Sequence, residues 1–276
     1  MRVRRPGHWL AIDWEAKAKE NPLLAIMTTA EMADAAPEDF TPEKLEEFFG
    51  RGRKLYRDHL APLLETVPAG CSVVEYGCGA GRILRPVADA GYRAIGIDIS
   101  PTMLGHCARL VPEVEDLHML DEEGCCTLPD GTASLVYSYS VLQHIGSLAA
   151  YAGALDEICR VLAPGGRLAI QVNCEDFKSG DPEVRWRTEN HESFSLHYRP
   201  TKEGPYKRHE QDHWSGVYIG FDLLREWLSE RGVAIERWYY HNPAKPRAIW
   251  VIGRKREADG QTAGEVTPDA FGTPGT

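Results

Sequence analysis

Two acids and three closely spaced glycines are the residues of this chain best suited to bind a ligand. The apolar run that ends near Glu75 predicts a short buried strand, and the residues after it predict a turn and a helix that begins near Arg82. Three glycines punctuate that turn at alternate positions: Gly77, Gly79 and Gly81. Glycines adopt positive φ and let the backbone approach a ligand closely, while a helix start offers unpaired N–H groups. We therefore expect a cofactor to lie across this turn.

The second acid, Asp98, ends the next apolar run. It is expected at the carboxyl end of the neighbouring parallel strand, where a carboxylate can bind both hydroxyls of a ribose. The competing interpretation is a dinucleotide site of the pattern G-x-G-x-x-G, whose third glycine would fall at Arg82 when counted from Gly77. The long Arg82 side chain argues against a dinucleotide. Glu75 suits a ligand with a cationic amine better than it suits a pyrophosphate.

With the acids and the glycine turn in this order, the chain resembles the class I S-adenosylmethionine-dependent methyltransferases over about residues 70 to 173. The resemblance implies S-adenosyl-L-methionine as the cofactor. It also implies methyl transfer to a nitrogen, oxygen or carbon atom of a small molecule, and we expect a bacterial secondary metabolite. Carried over position by position, it assigns cofactor binding to Glu75, Tyr76, Gly77, Cys78, Gly79, Arg82, Asp98, Ile99, Met103, Glu123, Gly124, Ser138 and Tyr139.

Two of these assignments concern the adenine ring. Met103 follows the helix start at Ser100 and is expected to lie under the ring, although a place in the hydrophobic core is an equal alternative. The resemblance also implies an acid after the third strand that accepts the adenine amino group. The acidic turn after that strand offers three acids, Asp121, Glu122 and Glu123, and the spacing to the following turn favours Glu123.

The fourth motif ends in the phrase V-L-x-H-I, which contains His144. By the resemblance, the Ser138 carbonyl binds the methionine amine, and Tyr139 and Ser140 line the sulfonium side. His144 is a candidate general base because an imidazole titrates near neutral pH. The alternative is that His144 only orients its loop through a hydrogen bond.

Residues 174–216 interrupt the regular alternation of strands and helices, and they are rich in aromatic and imidazole side chains. Segments this long inside a compact domain are usually functional or disordered, and the aromatic residues favour a function. The resemblance implies a substrate cap at this position. His213 and Tyr198 are its candidate bases. No metal-ligand spacing unites the histidines, so we expect no metal site.

The fold predicted from these elements and the resemblance is α/β. We expect a Rossmann-like, seven-stranded and mostly parallel sheet with an antiparallel last strand and helices on both faces. Residues 1–68 are expected to form an N-terminal helical extension that acts as a lid, and residues 69–255 the core, with the cap at about 174–216. Residues 256–276 lack an apolar period and are expected to be a disordered tail.

The N-terminal extension contains a clear helix start at Thr41, followed by Pro42 in the first turn. The segment 50–52, Gly-Arg-Gly, is expected to break this helix. In the family that the chain resembles, such an extension lies over the cofactor cleft, which makes Trp14, Phe49 and Arg53 candidates for ligand contact. The alternative is that these residues only pack the helices onto the sheet. Exchange of the helices between two chains would give a homodimer.

Bulk properties narrow the choice of partners. Among 276 residues, 41 acids outnumber 31 bases, and a net charge of −10 repels a phosphate backbone, so we expect no nucleic-acid partner. No apolar run approaches the length of about eighteen residues that a membrane span needs, so no membrane partner is expected. The seven cysteines show no paired C-x-x-C spacing, which is typical of free thiols in the cytoplasm.

One alternative function keeps the same cofactor site. A cyclase, a decarboxylase or a non-catalytic binding protein of methyltransferase fold would bind S-adenosylmethionine through the same turn and use its sulfonium only as a fixed charge. The motifs describe the cofactor site and not the acceptor, so they leave this alternative open.

Overall fold

The computed structural model describes residues 14–23, 40–174, 185–188, 194–199, 213–242 and 248–257. For residues 185–188, 194–199 and 213–216 it describes the backbone alone. Most of the predicted tail, residues 258–276, lies outside the described residues.

A seven-stranded sheet forms the centre of the molecule, with the strand order β3-β2-β1-β4-β5-β10-β9. Its strands are β1 Ser72–Tyr76, β2 Arg93–Asp98, β3 Asp116–Met119, β4 Ala133–Ser138, β5 Leu162–Asn173, β9 Val233–Tyr240 and β10 Ala248–Lys255. The first five strands are parallel, and β10 is antiparallel to both of its neighbours. The predicted sheet is thereby confirmed, including its antiparallel last strand.

Helices pack on both faces of this sheet. They are α1 Pro42–Leu55, α2 Ala61–Leu64, α3 Leu84–Asp89, α4 Pro101–Leu110, α5 Leu148–Val161 and α6 Phe221–Glu230, with a π-helix at Tyr56–Leu60 and a 3₁₀ turn at Leu142–His144. Residues 14–20 are also helical. The side chains of Thr41, Ser100 and Ser147 each accept a backbone N–H and cap the start of α1, α4 and α5. None of the described helices combines the length and the apolar character needed to cross a membrane.

The two larger clusters of the hydrophobic core cover the two faces of the sheet, and a third, smaller cluster contains Phe48 and Phe49 of α1. One of the larger clusters includes Leu155 and Ile158 of α5 with Leu224 and Leu228 of α6. The other larger cluster includes the π-helix residue Leu60, Leu63 and Leu64 of α2, and Leu84 and Val87 of α3. Because both faces are covered, β1 and β4 are almost wholly buried, and apolar residues stand at neighbouring positions in both strands, as at Val73 and Val74 and at Leu135 and Val136.

The helix after the glycine turn, α3, is assigned from Leu84, close to the predicted start near Arg82, and the Arg85 N–H donates to the Gly81 carbonyl oxygen at 3.1 Å. Gly79 and Gly81 have φ values of 53° and 81°, which lie outside the α-helical region, so the chain stays in turns up to residue 83. The fifth strand, β5, contains a bulge opposite β4. Ala133 pairs with Leu162 and Leu135 pairs with Arg167, so the bulge absorbs the extra residues.

The segment 50–52 does not break the first long helix, since α1 runs through it to Leu55. Gly52 instead allows a close approach between α1 and the glycine turn. A Cβ atom at Gly52 would lie 1.9 Å from the Arg82 carbonyl oxygen, whereas a Cβ at Gly50 would touch only the end of Arg53, at 3.6 Å. The sequence pattern identified Gly50 and Gly52, but it did not show that Gly52 packs against the Arg82 carbonyl.

The predicted cap contains a small antiparallel sheet, which the sequence did not predict. Its strands are β6 Arg185–Thr188, β7 Phe194–Arg199 and β8 His213–Ile219, with β7 in the middle. The end of β8 returns to the main body, where Val217 and Ile219 are buried in the core and Ile219 forms a parallel bridge with Cys174.

Candidate functional site

A cavity of about 350 Å³ opens at the edge of the sheet where the parallel strands end. All but one of the predicted cofactor-binding residues line it: Glu75, Tyr76, Gly77, Cys78, Gly79, Arg82, Asp98, Ile99, Met103, Glu123, Gly124 and Tyr139. The exception is Ser138, whose buried hydroxyl donates to the Tyr76 carbonyl at 2.9 Å. The cavity therefore lies where β1, β2 and β4 present their carboxyl ends.

The glycine turn forms the floor of the cavity. Gly77, Gly79 and Gly81 all have positive φ, a conformation that other residues adopt at a cost. Gly77 also has no space for a side chain, because a Cβ there would lie 2.3 Å from a methyl carbon of Val141, another lining residue. The turn thus brings backbone atoms of β1 against the loop that follows β4.

Asp98 holds the turn in place. Its carboxylate accepts the Gly79 N–H at 2.8 Å and the Ser100 N–H at 2.9 Å. Burial raises the pKa of the Asp98 carboxyl, and these backbone bonds oppose the rise. Two carboxylate oxygens have about four acceptor sites, so Asp98 retains acceptor capacity for ligand hydroxyls.

Glu75 is buried at the end of β1 and its carboxyl is bound to the protein. The Tyr137 hydroxyl donates to it at 2.9 Å. Burial raises the pKa of Glu75 to about 8, and the Tyr137 hydrogen bond and the charge of Arg82 act in the opposite direction. Because a positive charge stabilises a carboxylate, a cationic ligand in the cavity would favour the ionised form of Glu75.

The lining residues carry an excess of negative charge. Five of them are acids: Glu75, Asp98, Asp121, Glu122 and Glu123. Arg82 is the one arginine or lysine among the described lining residues. Its side chain is 8% exposed, and its Nε atom has no hydrogen-bond partner among the described residues. A ligand with a net positive charge that also carries an anionic group matches this arrangement.

The acidic turn after β3 lines one end of the cavity. Asp121 is engaged within the turn, because its Oδ1 accepts the N–H groups of Glu123 and Cys125, each at 2.9 Å. Glu122 and Glu123 are exposed and also line the cavity. The contact between Glu123 and adenine stays a prediction. Asp121 is the weaker candidate for this contact, because its carboxylate already accepts hydrogen bonds within the turn.

The loop after β4 contains a strained residue. Ser140 has a φ of 60°, the left-handed region that a serine rarely adopts. Its N–H donates to Gln171 Oε1 at 2.9 Å, and its hydroxyl accepts from Gln143 Nε2 at 3.0 Å. Sequence reasoning missed Gln171, although a buried glutamine inside the apolar strand β5 is a detectable signal. Strain of this kind is common at functional sites.

Of the three candidate bases, His144 lines the cavity. The Trp14 ring meets the His144 ring edge-on, with 5.2 Å between the centroids. His213 and Tyr198 lie on the adjacent strands β8 and β7, where Tyr198 pairs with Trp214 and Arg199 pairs with His213. The side chains of His213 and Tyr198 lie outside the described residues, so their roles stay predictions. Within the described ranges, no three His, Cys, Asp or Glu residues form a metal-binding group.

Only one of the three candidates from the extension lines the cavity, and that residue is Trp14. Phe49 is buried in a core cluster with the Arg85 guanidinium 4.6 Å from its ring centroid, and Arg53 pairs with Glu46. For Phe49, the structure therefore supports the alternative that the side chain packs in the core and does not contact ligand. Sequence reasoning missed Glu15, which links the segment of Trp14 to α4.

Residues 74–170 match a family described as a methyltransferase domain. A 2-methyl-6-phytyl-1,4-hydroquinone methyltransferase of Synechocystis sp. is 34% identical over 109 residues, which is 39% of this chain and 33% of that relative. The chain therefore spans about a third of the length of that relative.

Two longer similarities extend beyond this central region. A trans-aconitate 2-methyltransferase of Methylobacterium nodulans is 27% identical over 203 residues, 70% of this chain and 72% of that protein. The solved structure of the CcbJ methyltransferase from Streptomyces caelestis shares the fold, with a TM-score of 0.57 at 16% identity over 88% of this chain and 99% of that one.

Proposed function

We propose that this chain, whose residues 74–170 match a methyltransferase domain, is a class I S-adenosylmethionine-dependent methyltransferase that methylates a nitrogen, oxygen or carbon atom of a small molecule. The observation that carries the proposal is the place of Asp98. This buried carboxylate holds the glycine turn through Gly79, lines the cavity and retains acceptor sites for a ribose.

The lining residues fit an adenosyl sulfonium along its whole length. Asp98 accepts the ribose hydroxyls, and Ile99 and Met103 provide an apolar surface for the adenine ring. Five acids favour the positive charge of the sulfonium and the amine, and the buried Arg82 guanidinium matches the carboxylate of the amino-acid part. We assign the remaining contacts to the glycine turn and to Tyr139.

When bound, S-adenosylmethionine supplies an electrophilic methyl group on a positively charged sulfur. The contribution of the chain is to hold both partners in line and to exclude water, which is the main source of acceleration in a direct displacement. Trp14, Val141 and Ile145 contribute apolar surface to the lining of the cavity.

His144 is our candidate for the group that removes a proton from the acceptor. It lines the cavity beside Trp14, so an acceptor that enters under Trp14 meets its imidazole. A neutral imidazole can accept a proton from a hydroxyl or an ammonium group near neutral pH. Replacement of His144 by Gln, which keeps hydrogen bonding but not the basicity, is expected to lower kcat and leave cofactor affinity unchanged.

The acceptor is proposed to be a small molecule, and a bacterial secondary metabolite is our first candidate. The net charge of −10 disfavours a nucleic acid as the acceptor. Similar proteins carry names that refer to a hydroquinone and to trans-aconitate. These names support a small-molecule acceptor, but they do not indicate which compound it is.

The test is incubation of the purified chain with methyl-labelled S-adenosylmethionine and a panel of quinols, carboxylic acids and amines. We expect label to appear in one acceptor, with the product heavier by one methylene group. Asp98→Ala, checked for folding, is the control without transfer. Turnover of S-adenosylmethionine with no methylated product would contradict the proposal, and so would the absence of any binding.

A further inference from the structure

A group of aromatic side chains, with Trp250 buried and Tyr139 and His241 half-buried, adjoins the cavity on the side of β9 and β10. The Tyr139 ring lines the cavity and stacks on Trp250, with 5.7 Å between the centroids. His241, the residue after β9, contacts both. The Trp250 Nε1 lies 3.2 Å from His241 Nδ1, and His241 Nε2 lies 3.3 Å from the Tyr139 hydroxyl. The three side chains therefore form one hydrogen-bonded chain that ends at the cavity.

The direction of this chain follows from the donors. An indole N–H can only donate, so His241 Nδ1 accepts from Trp250. Burial and the charge of Lys54 lower the pKa of His241, so the imidazole is neutral and its single proton is on Nε2. His241 then donates to the Tyr139 oxygen. The proton of the Tyr139 hydroxyl is left for a different acceptor, and none is present among the described residues.

Arg82 presents a second donor at the same place. Its guanidinium carbon lies 5.6 Å from the Tyr139 ring centroid, and both residues line the cavity. The Arg82 Nε atom is buried and has no partner within the described part of the chain. Buried donors are nearly always satisfied in native proteins, so the unpaired Arg82 Nε indicates a bound acceptor, and the Tyr139 hydroxyl offers a second donor in the lining of the same cavity. A carboxylate satisfies both through charge-assisted hydrogen bonds.

The position of this corner indicates which part of a ligand it contacts. Asp98 ends β2, and Tyr139 follows the end of β4, on the other side of β1 in the sheet. A ligand with its ribose at Asp98 that lies across the glycine turn reaches Tyr139 with its opposite end. In an adenosyl amino acid, that end carries the carboxylate.

We propose that His241 is a positioning residue of the cofactor site: with Trp250 it fixes the Tyr139 hydroxyl as a donor to the amino-acid carboxylate of the cofactor, beside Arg82. This inference rests on the proposed function and deepens it, because it connects the end of β9 to cofactor recognition. It also assigns a function to the Tyr139 hydroxyl, in addition to the packing of the Tyr139 ring.

The test compares two probes by isothermal titration calorimetry. S-adenosylhomocysteine has the amino-acid carboxylate, and 5′-methylthioadenosine lacks it. Tyr139→Phe is expected to weaken S-adenosylhomocysteine binding about tenfold to a hundredfold, the range for a lost hydrogen bond to a charged group, and to leave 5′-methylthioadenosine unchanged. His241→Leu is expected to weaken the same probe, and the double variant is expected to bind no more weakly than Tyr139→Phe.

His241→Gln is the matched control. A glutamine amide can accept from Trp250 through its oxygen and donate to Tyr139 through its nitrogen, so this variant is expected to keep most of the affinity. In the parent protein, ¹⁵N spectra of the histidine side chains are expected to show the proton of His241 on Nε2. A proton on Nδ1 would overturn the inference.

Two binding results would also overturn it. In one, Tyr139→Phe weakens both probes equally, which indicates a structural role. In the other, Tyr139→Phe leaves S-adenosylhomocysteine binding unchanged. This result is expected if the Tyr139 hydroxyl faces the methyl acceptor and not the cofactor. Failure of the proposed function is distinct, because the parent protein would then bind neither probe, and the inference would fall with it.

Discussion

The Glu15 carboxylate accepts a hydrogen bond from the Thr102 hydroxyl at 2.6 Å and thereby ties the N-terminal helical segment to the first turn of α4. It also accepts from the Ser100 hydroxyl at 2.7 Å and from the Thr102 N–H at 3.2 Å. Its negative charge at a helix start is favourable, and these hydrogen bonds contribute to lowering the pKa of Glu15 to about 2 against the opposing effect of burial. Trp14, which lines the cavity, is the adjacent residue.

Glu15→Ala is expected to loosen this segment and to make cofactor release faster. Without the carboxylate, Trp14 loses the anchor that holds it over the cavity. We expect the dissociation rate of S-adenosylhomocysteine, measured by stopped-flow fluorescence, to rise several-fold, and the melting temperature to fall because the hydrogen bonds to Ser100 and Thr102 are lost. Glu20→Ala is the matched control, because Glu20 is exposed on the same segment. Equal dissociation rates in the two variants would show that the anchor does not cover the cofactor.

The two glycines of α1 are expected to respond oppositely to alanine. Gly52→Ala places a Cβ atom 1.9 Å from the Arg82 carbonyl oxygen, so we expect a loss of about 1–3 kcal/mol in the free energy of unfolding. Gly50→Ala has space and lies within a helix, so a gain of about 0.5–1 kcal/mol is expected. Urea denaturation measures both. A similar effect of the two substitutions would refute the close approach of α1 to the glycine turn.

The pH dependence of stability is expected to report the buried Glu75. Its pKa in the folded protein is about 8, above the ordinary value of 4.5, so the folded state holds a proton that the unfolded state releases. The contribution of Glu75 to the free energy of unfolding is therefore full below pH 4.5 and falls as the pH rises through 8. Glu75→Gln has no such titration.

Denaturation of the parent and of Glu75→Gln across this range isolates the effect, because the other groups titrate in both proteins. We expect the stability of the parent to fall relative to the variant as the pH rises. A difference that stays constant or changes in the opposite direction would indicate an ionised Glu75 in the folded protein.

The sheet, and the grouping of the candidate residues around one cavity, could be predicted from the sequence because both depend on local patterns. Strand ends and a glycine turn fix where Glu75, Gly79 and Asp98 meet, since parallel strands present their carboxyl ends at one edge. Ser138 was assigned through its carbonyl, and its side chain is turned away from the cavity towards Tyr76.

What the sequence did not predict depends on contacts between distant segments. Gly52 resembles a helix breaker unless the Arg82 carbonyl is known to lie against it. In the sequence, nothing distinguishes Glu15 from the other acids of its segment, and its role follows only from its hydrogen bonds to Thr102. His241 follows a strand far from Tyr139 in the chain, and only the sheet brings the two rings together. Such pairs leave no periodic signal in a single sequence.

The most direct measurement for the central claim is the affinity of S-adenosylmethionine for the parent and for Asp98→Ala, by isothermal titration calorimetry. Circular dichroism and the melting temperature establish that the variant is folded. We expect the parent to bind and the variant to lose at least about a hundredfold in affinity, because a ribose then loses two charge-assisted hydrogen bonds. A folded Asp98→Ala that binds S-adenosylmethionine as tightly as the parent would contradict the assignment of this cavity.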